Sequence, residues 1–289
     1  MSTDKTNQYI DRLKRLPPAP TVATELLVLF GDPNNNLERI VELIKHDPAL
    51  TAKILRHHNS DFYGDSEPTT DMFEAVKHLG FYQVYCMVAT LVSDGVMALG
   101  EGNGGFDTNR LWRHSVITAV AAGILARRVG EPEGAAFTAG LLHDIGKLIL
   151  ASVEGERYAE LMNRVHASHT NLRWAELAEF DVDHATVGAE LLVRWGLPDN
   201  IAVAVRLHNG SPSAGKPFEK LIALVQIASD LAAQMDTADF QAAPAALSHG
   251  EARSLLGLTP EDVPALIGEI QEGLKRVQGF SVVNFDAAI

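Results

Sequence analysis

The sequence predicts an all-α fold of two helical lobes. Three observations carry that prediction. Apolar segments are bracketed by helix-type punctuation, with Asp, Asn or Thr before them and Gly or Pro after. No segment alternates apolar and polar residues over the length of a strand. A glycine-rich break, Gly-Glu-Gly-Asn-Gly-Gly at 100–105, divides the chain into a shorter and a longer helical part. At 289 residues and 46% hydrophobic content, the chain can bury a sizeable core.

Each element follows from its own punctuation. A short amphipathic helix is predicted at 9–16, stopped by Pro17 and Pro18, and a second at 21–30, stopped by Gly31. Asn36 caps a helix at 37–45. Asp47-Pro48 opens the next, which runs to His58. Aspartate accepts from the first amides, and proline has no N–H to waste at the first helical position. Asp71 opens a helix that ends at Gly80. A longer apolar helix follows at 81–99, holding the single cysteine, Cys86, as a buried thiol with no disulfide partner in the chain. The glycine break lacks both the Gly-Lys-Ser/Thr and the preceding strand of a phosphate-binding loop, so it reads as a linker. Asp107 or Thr108 then caps a long helix closed by Gly130, with Arg127 and Arg128 in the last turn, where cations suit the helix dipole. Pro132 opens a helix that reaches His143. Further helices are predicted at 156–166, 172–179, 184–195, 199–208, 217–234 and 260–277. The expected organisation is an N-terminal lobe at 1–106, a second lobe at 107–235 and a helical tail at 236–289.

Charge and segment composition exclude other classes. There are 37 acidic and 24 basic residues, a net −13, which argues against a nucleic-acid partner because such a footprint needs a basic face. No apolar run approaches the roughly 18 residues of a membrane span. The polar start, Met1 to Gln8, lacks the apolar core of a signal peptide. The expectation is a cytoplasmic protein with no membrane contact.

The sharpest chemical signal is Leu141-Leu142-His143-Asp144-Ile145-Gly146-Lys147. His143 and Asp144 sit where a helix would end. Adjacent helical side chains splay by about 100°, so at a terminus an imidazole and a carboxylate can reach one ion or two neighbouring ions. Both are ligands for zinc, manganese or iron. Lys147 lies just beyond, placed to meet an anionic group such as a phosphate. His114, His184 and His208 are spaced through the second lobe. Asp230 is an acid inside an otherwise apolar helix, and a buried carboxylate needs a partner or a metal. Any one of these has a plain structural reading: a core histidine, a helix cap or a helix-to-helix hydrogen bond.

The order His114, His143-Asp144, His184, His208, Asp230 resembles the HD superfamily of metal-dependent phosphohydrolases. The N-terminal half narrows the resemblance to the HDOD family (HD-related output domain). Its features are Leu16-Pro17-Pro18-Ala19-Pro20, Asp47-Pro48-Ala49-Leu50-Thr51-Ala52-Lys53-Ile54-Leu55, Asn59-Ser60 and the segment 75–80. Glu176 and the stretch His184 to Leu197-Pro198 agree with the family's second half. The resemblance spans about residues 9–235 and does not extend to the tail.

It implies a bacterial signal-transduction module with a protein partner and a retained His/Asp site for one or two divalent ions. In this site His143, Asp144, His114 and Asp230 would form one centre, and His184 and His208 would hold the second. The alternative it implies is a phosphohydrolase acting on a nucleotide or other phosphoester, with Asp144 and Lys147 catalytic. Glu176 is expected to be a ligand or to support one. Cyclic-di-GMP phosphodiesterases of the HD-GYP type carry a paired histidine before a GYP signature. Here the segment reads His208-Asn209-Gly210, with neither feature, which argues against that substrate.

Overall fold

A computed structural model describes residues 2–12, 25–26, 29, 37–46, 48–59, 69–80, 83–84, 87–88, 105–168, 170–235 and 249–277. Among these residues there is no β-strand, as the sequence predicts. Most of the predicted helix at 21–30, most of that at 81–99, Cys86, residues 100–104 of the glycine break, the Leu16–Pro20 motif and His169 lie outside the described residues.

The first helix, α1 (Ser2–Arg12), begins earlier than its predicted span, because the polar residues 2–8 continue the helical turn. Then come α2 (Leu37–Lys45), α3 (Pro48–His58) and α4 (Met72–Leu79), which pack on one another. Asp71 caps α4 by accepting from Phe73 N at 2.8 Å. Met72, Ala75, Val76 and Leu79 form its buried face at helical spacing.

The second part is built on α5 (Thr108–Val129). Asp107 accepts from Arg110 N at 2.9 Å to start it, and Gly130 ends it in the left-handed region, φ 73°. The stretch Ala119-Val120-Ala121-Ala122-Gly123 is buried on every side, and its small side chains let neighbouring helices approach closely. Those neighbours are α6 (Glu133–Leu142), α12 (Glu219–Met235) and α14 (Val263–Val277). Between them run α7 (Ile145–Glu154), α8 (Glu156–Ser168), α9 (Leu172–Phe180), α10 (His184–Arg194), α11 (Asp199–Leu207) and α13 (Gly250–Leu256). Helices α7 and α13 were not predicted; in the sequence α7 is an apolar run, Ile145 to Val153, with no periodicity to separate core helix from core strand.

Glu133–Glu154 is long and apolar enough to cross a membrane by composition, but most of it is buried within the protein as α6 and α7, broken at His143-Asp144.

Two packing features place the site. First, α7 crosses α10 with almost no gap: a Cβ on Gly146 would stand 1.9 Å from His184 O. Second, α1 lies against α7 and α10, with Arg194 bonding Asp11 at 2.7 Å and Arg12 bonding Glu154 at 3.1 Å. The tail closes on the same core. Helix α14 buries Leu266, Ile270 and Leu274 against α5, and Arg128 at the end of α5 reaches Glu269 at 3.1 Å.

Candidate metal centre

Two histidines reach the site by the same local device. A helix leaves its last carbonyls without intrahelical partners. His143 directly follows α6, and its Nδ1 lies 2.7 Å from Gly140 O. His208 directly follows α11, and its Nδ1 lies 2.7 Å from Val205 O. A carbonyl can only accept, so each ring carries its proton on Nδ1 and presents a bare Nε2. His184 opens α10 instead, behind the N-cap Asp183. Its Nδ1 lies 2.6 Å from Glu176 Oε2, which also accepts the His184 backbone N–H at 3.0 Å. Glu176 is fully buried on α9, and its other oxygen accepts the Tyr158 O–H at 2.6 Å. All three imidazoles are thus held in one tautomer.

The bare nitrogens converge on Asp144. His143 Nε2 is 3.3 Å from Asp144 Oδ2, while His184 Nε2 and His208 Nε2 are 3.4 and 3.5 Å from Oδ1. All four side chains are buried. Lone pairs facing lone pairs in a dry site repel unless a positive charge sits among them. The His143 Nε2 atom has no hydrogen-bond partner at all. Donor atoms 2.0–2.2 Å from one tetrahedral ion stand about 3.3–3.6 Å apart, and these separations of 3.3–3.5 Å match. The residues therefore fit a divalent metal. They fall into two groups that share Asp144: His114 with His143 and Asp144, and Asp144 with His184 and His208.

The electrostatics agree with the geometry. Burial pushes His208 down to about 4, with Asp144 opposing and His143 and His184 adding to the effect, so the ring is neutral near pH 7. Burial raises the Asp144 carboxyl, but the His143 ring, once it takes up a second proton, and Lys147 hold it well below the usual carboxylate range. Lys147 Nζ is 2.6 Å from Asp144 Oδ2. The lysine expected to meet a phosphate thus also neutralises the shared carboxylate.

His114, on α5, places Nε2 3.2 Å from Ser229 Oγ of α12, with its ring 5.3 Å from that of His143. Asp230 follows Ser229 and is rotated by about 100° around the helix. Its Oδ2 lies 3.0 Å from Nδ1 of His249, the residue before α13 in the tail, and it belongs to neither metal-type group. The structure therefore gathers five of the six expected ligand residues, and turns Asp230 toward the tail. Tyr158 and Asn209 belong to the site and carried no sequence signal of their own. Asn209 entered only as the residue that is not a second histidine. In the structure its Nδ2 lies 2.7 Å from His208 Nε2 and 3.0 Å from His184 Nε2.

A cavity of about 130 Å³ opens over the cluster, walled by Asn171, Arg173 and Asn209. A larger one, about 400 Å³, shares His114, Asp144 and Lys147 with it and adds Phe106, Arg110, Met162 and His166.

Comparison with known proteins bears on the family and the fold. The family model of the HDOD domain matches residues 16–211. An uncharacterised protein of Treponema pallidum is 27% identical over 221 residues, covering 76% of this chain and 42% of that protein. A ribonuclease Y of Acholeplasma laidlawii is 31% identical over 118 residues, covering 41% of this chain and 16% of the enzyme. The chain spans less than half the length of these relatives. Among solved structures, an HDOD domain protein of unknown function from Geobacter sulfurreducens superposes with a TM-score of 0.74, at 21% identity and 96% coverage of both chains.

Proposed function

The chain belongs to the HDOD domain family, and from that premise we propose that it is a signal-transduction regulator whose His/Asp cluster binds a divalent metal ion and which acts on a protein partner. The observation that carries the metal reading is the tautomer lock. Gly140 O, Val205 O and Glu176 each take an Nδ1 proton, and this leaves three Nε2 lone pairs around one buried carboxylate, that of His143 with no hydrogen-bond partner and those of His184 and His208 beside the Asn209 amide.

A second reading, hydrolysis of a nucleotide or other phosphoester, is favoured by the cavity of about 400 Å³ that runs from the cluster. Arg110 and Lys147 line it beside Asp107 and Asp144, and Phe106 and Met162 line it with apolar surface; the two cations and the apolar wall suit a phosphate group carrying an apolar body. The partial match to ribonuclease Y points the same way. A bound ion would lower the pKa of a coordinated water from 15.7 to about 7. The residues that would hold it are His143 and Asp144 with His114 on one side and His184 and His208 on the other. Glu176 would keep His184 in its ligand tautomer, and Lys147 would balance charge on the Asp144 carboxylate.

Elemental analysis of protein purified without added metal, beside Asp144→Ala, tests the metal site. The expected result is iron, manganese or zinc in the wild type and none in the variant. Wild-type protein that stays metal-free in excess ion overturns both readings of the cluster. Assay of the loaded protein on nucleotides and bis(p-nitrophenyl) phosphate then separates them. Turnover that Asp144→Ala abolishes favours the hydrolase, and bound metal without turnover favours the regulator.

A further inference from the structure

The two halves of the cluster are not equivalent. In one, His143 Nε2 is buried with no hydrogen-bond partner. In the other, both imidazoles already face one donor, the Asn209 side-chain amide at 2.7 and 3.0 Å. The direction of these bonds follows from the ring tautomers. His184 and His208 give their only ring proton to Glu176 and Val205 O, so both Nε2 atoms are acceptors and Asn209 must present its NH₂. An amide nitrogen has two hydrogens, one for each ring. It lies where the lone pairs of His184 and His208 would otherwise meet an ion.

We propose that Asn209 is an internal competitor for metal at the His184–His208 half of the cluster, so that the resting protein holds a single ion in the His114–His143–Asp144 half. This inference rests on the metal reading of the site and assigns its stoichiometry and its gate. Ser229 does not play the same part for His114. Its hydroxyl, 3.2 Å away, can turn its hydrogen elsewhere about one bond, whereas the Asn209 amide must move as a whole to vacate its place. Asn209 is an exposed residue overall, at the wall of the small cavity over the cluster, so its side chain has solvent to swing into. Occupation of the second half requires that swing and the loss of two hydrogen bonds. At the usual net worth of such bonds, the cost weakens the second ion by about tenfold to a hundredfold.

The test is Mn²⁺ binding to the 289-residue chain, read by calorimetric titration and by elemental analysis after removal of free ion. The wild type is expected to retain one Mn²⁺. Asn209→Ala, which removes the amide, and Asn209→Asp, which replaces it with an oxygen ligand, are each expected to retain two. Circular dichroism melts establish that the variants are folded. His114→Gln should lose the single ion of the wild type, and His184→Gln should keep it. Two tightly held ions in the wild type, or one ion in both folded Asn209 variants, overturns the proposal while leaving the metal site standing. So does loss of the single ion in His184→Gln. No Mn²⁺ in any of these proteins overturns the metal reading and this inference together.

Discussion

A histidine becomes a ligand through what its second nitrogen touches. Among the described histidines, His143, His184 and His208 combine an Nδ1 fixed by a group that can only accept with an Nε2 that meets the others at Asp144. Glu176 is the partner most open to test. In Glu176→Gln the amide can still accept from His184 or Tyr158, but the carboxylate charge behind the ring is gone. Partners of this kind are worth about tenfold to a hundredfold in metal affinity. Competition with a chromogenic chelator should show a loss of that size in a folded variant; an unchanged affinity would mean that Glu176 serves the fold alone.

The pH dependence of stability follows from two buried histidines, His208 of the cluster and His57 on α3, outside it. Burial pushes both His57 and His208 down to about 4, while an unfolded histidine titrates near 6.5. Between those values the unfolded chain binds more protons than the native one, so stability rises with pH through that window and levels off above it. Metal-free protein should therefore lose melting temperature steadily from about pH 6.5 to 4. In His208→Gln the slope should be shallower, because one of the two contributing groups is absent.

At the scale of elements, the site is where helices end and cross. His143 and His208 lie at the C-terminal ends of α6 and α11, and His184 lies at the start of α10. The crossing of α7 over α10 sets the distance from Asp144 to His184. It is tight because Gly146 meets the carbonyl of His184 itself, and a Cβ there would stand at 1.9 Å. Neither backbone can yield without moving Asp144, two residues before Gly146, relative to His184. Gly146→Ala should cost several kcal/mol, in the upper range of single substitutions, and should weaken metal binding even in whatever protein remains folded. Thermal melts and metal content measured together check this. A variant with wild-type metal content and an unchanged melting temperature would mean that the crossing relaxes freely.

The sequence showed much of this element scale. Asp71 caps its helix as its residue type predicts, and of the two candidates Asp107 and Thr108 it is Asp107 that caps α5; His143-Asp144 stands at a helix end as its position implies. Helix phase was less legible. Asp230 stood out as an acid in an apolar helix, but sequence alone does not say which neighbour each face of α12 meets. In the structure Ser229 faces His114 and Asp230 faces His249. Asn209 was hidden for a different reason: an amide announces no chemistry until two imidazoles are seen beside it.

At the scale of the whole molecule, the question is whether the tail, beyond the family match at 211, is an accessory or part of the core. Its described helices answer through burial. Leu266, Ile270 and Leu274 of α14 are fully buried. The helix they sit on packs against α5, which carries His114, and touches α12, which carries Ser229. Two helices of the site thus owe part of their buried surface to residues that the sequence reading could set down only as an unassigned tail. The reason it could do no more is physical. An amphipathic helix shows its apolar face in its sequence, but the identity of the face that covers it is a property of the fold.

If α14 is integral, a cavity cut into its buried face destabilises the entire second lobe. Leu274→Ala should cost about 2–5 kcal/mol and lower the temperature of one cooperative transition followed by both circular dichroism and metal release. Arg128→Ala should cost no more than about 1 kcal/mol, because Arg128 meets Glu269 and Asp262 only at the surface. If α14 were accessory, Leu274→Ala would instead split the melt, with an early loss of helicity and metal release at the wild-type temperature. The contrast between the two substitutions decides the matter: burial of the apolar face, not the surface ion pairs, is what makes the tail part of the lobe that carries the His/Asp cluster.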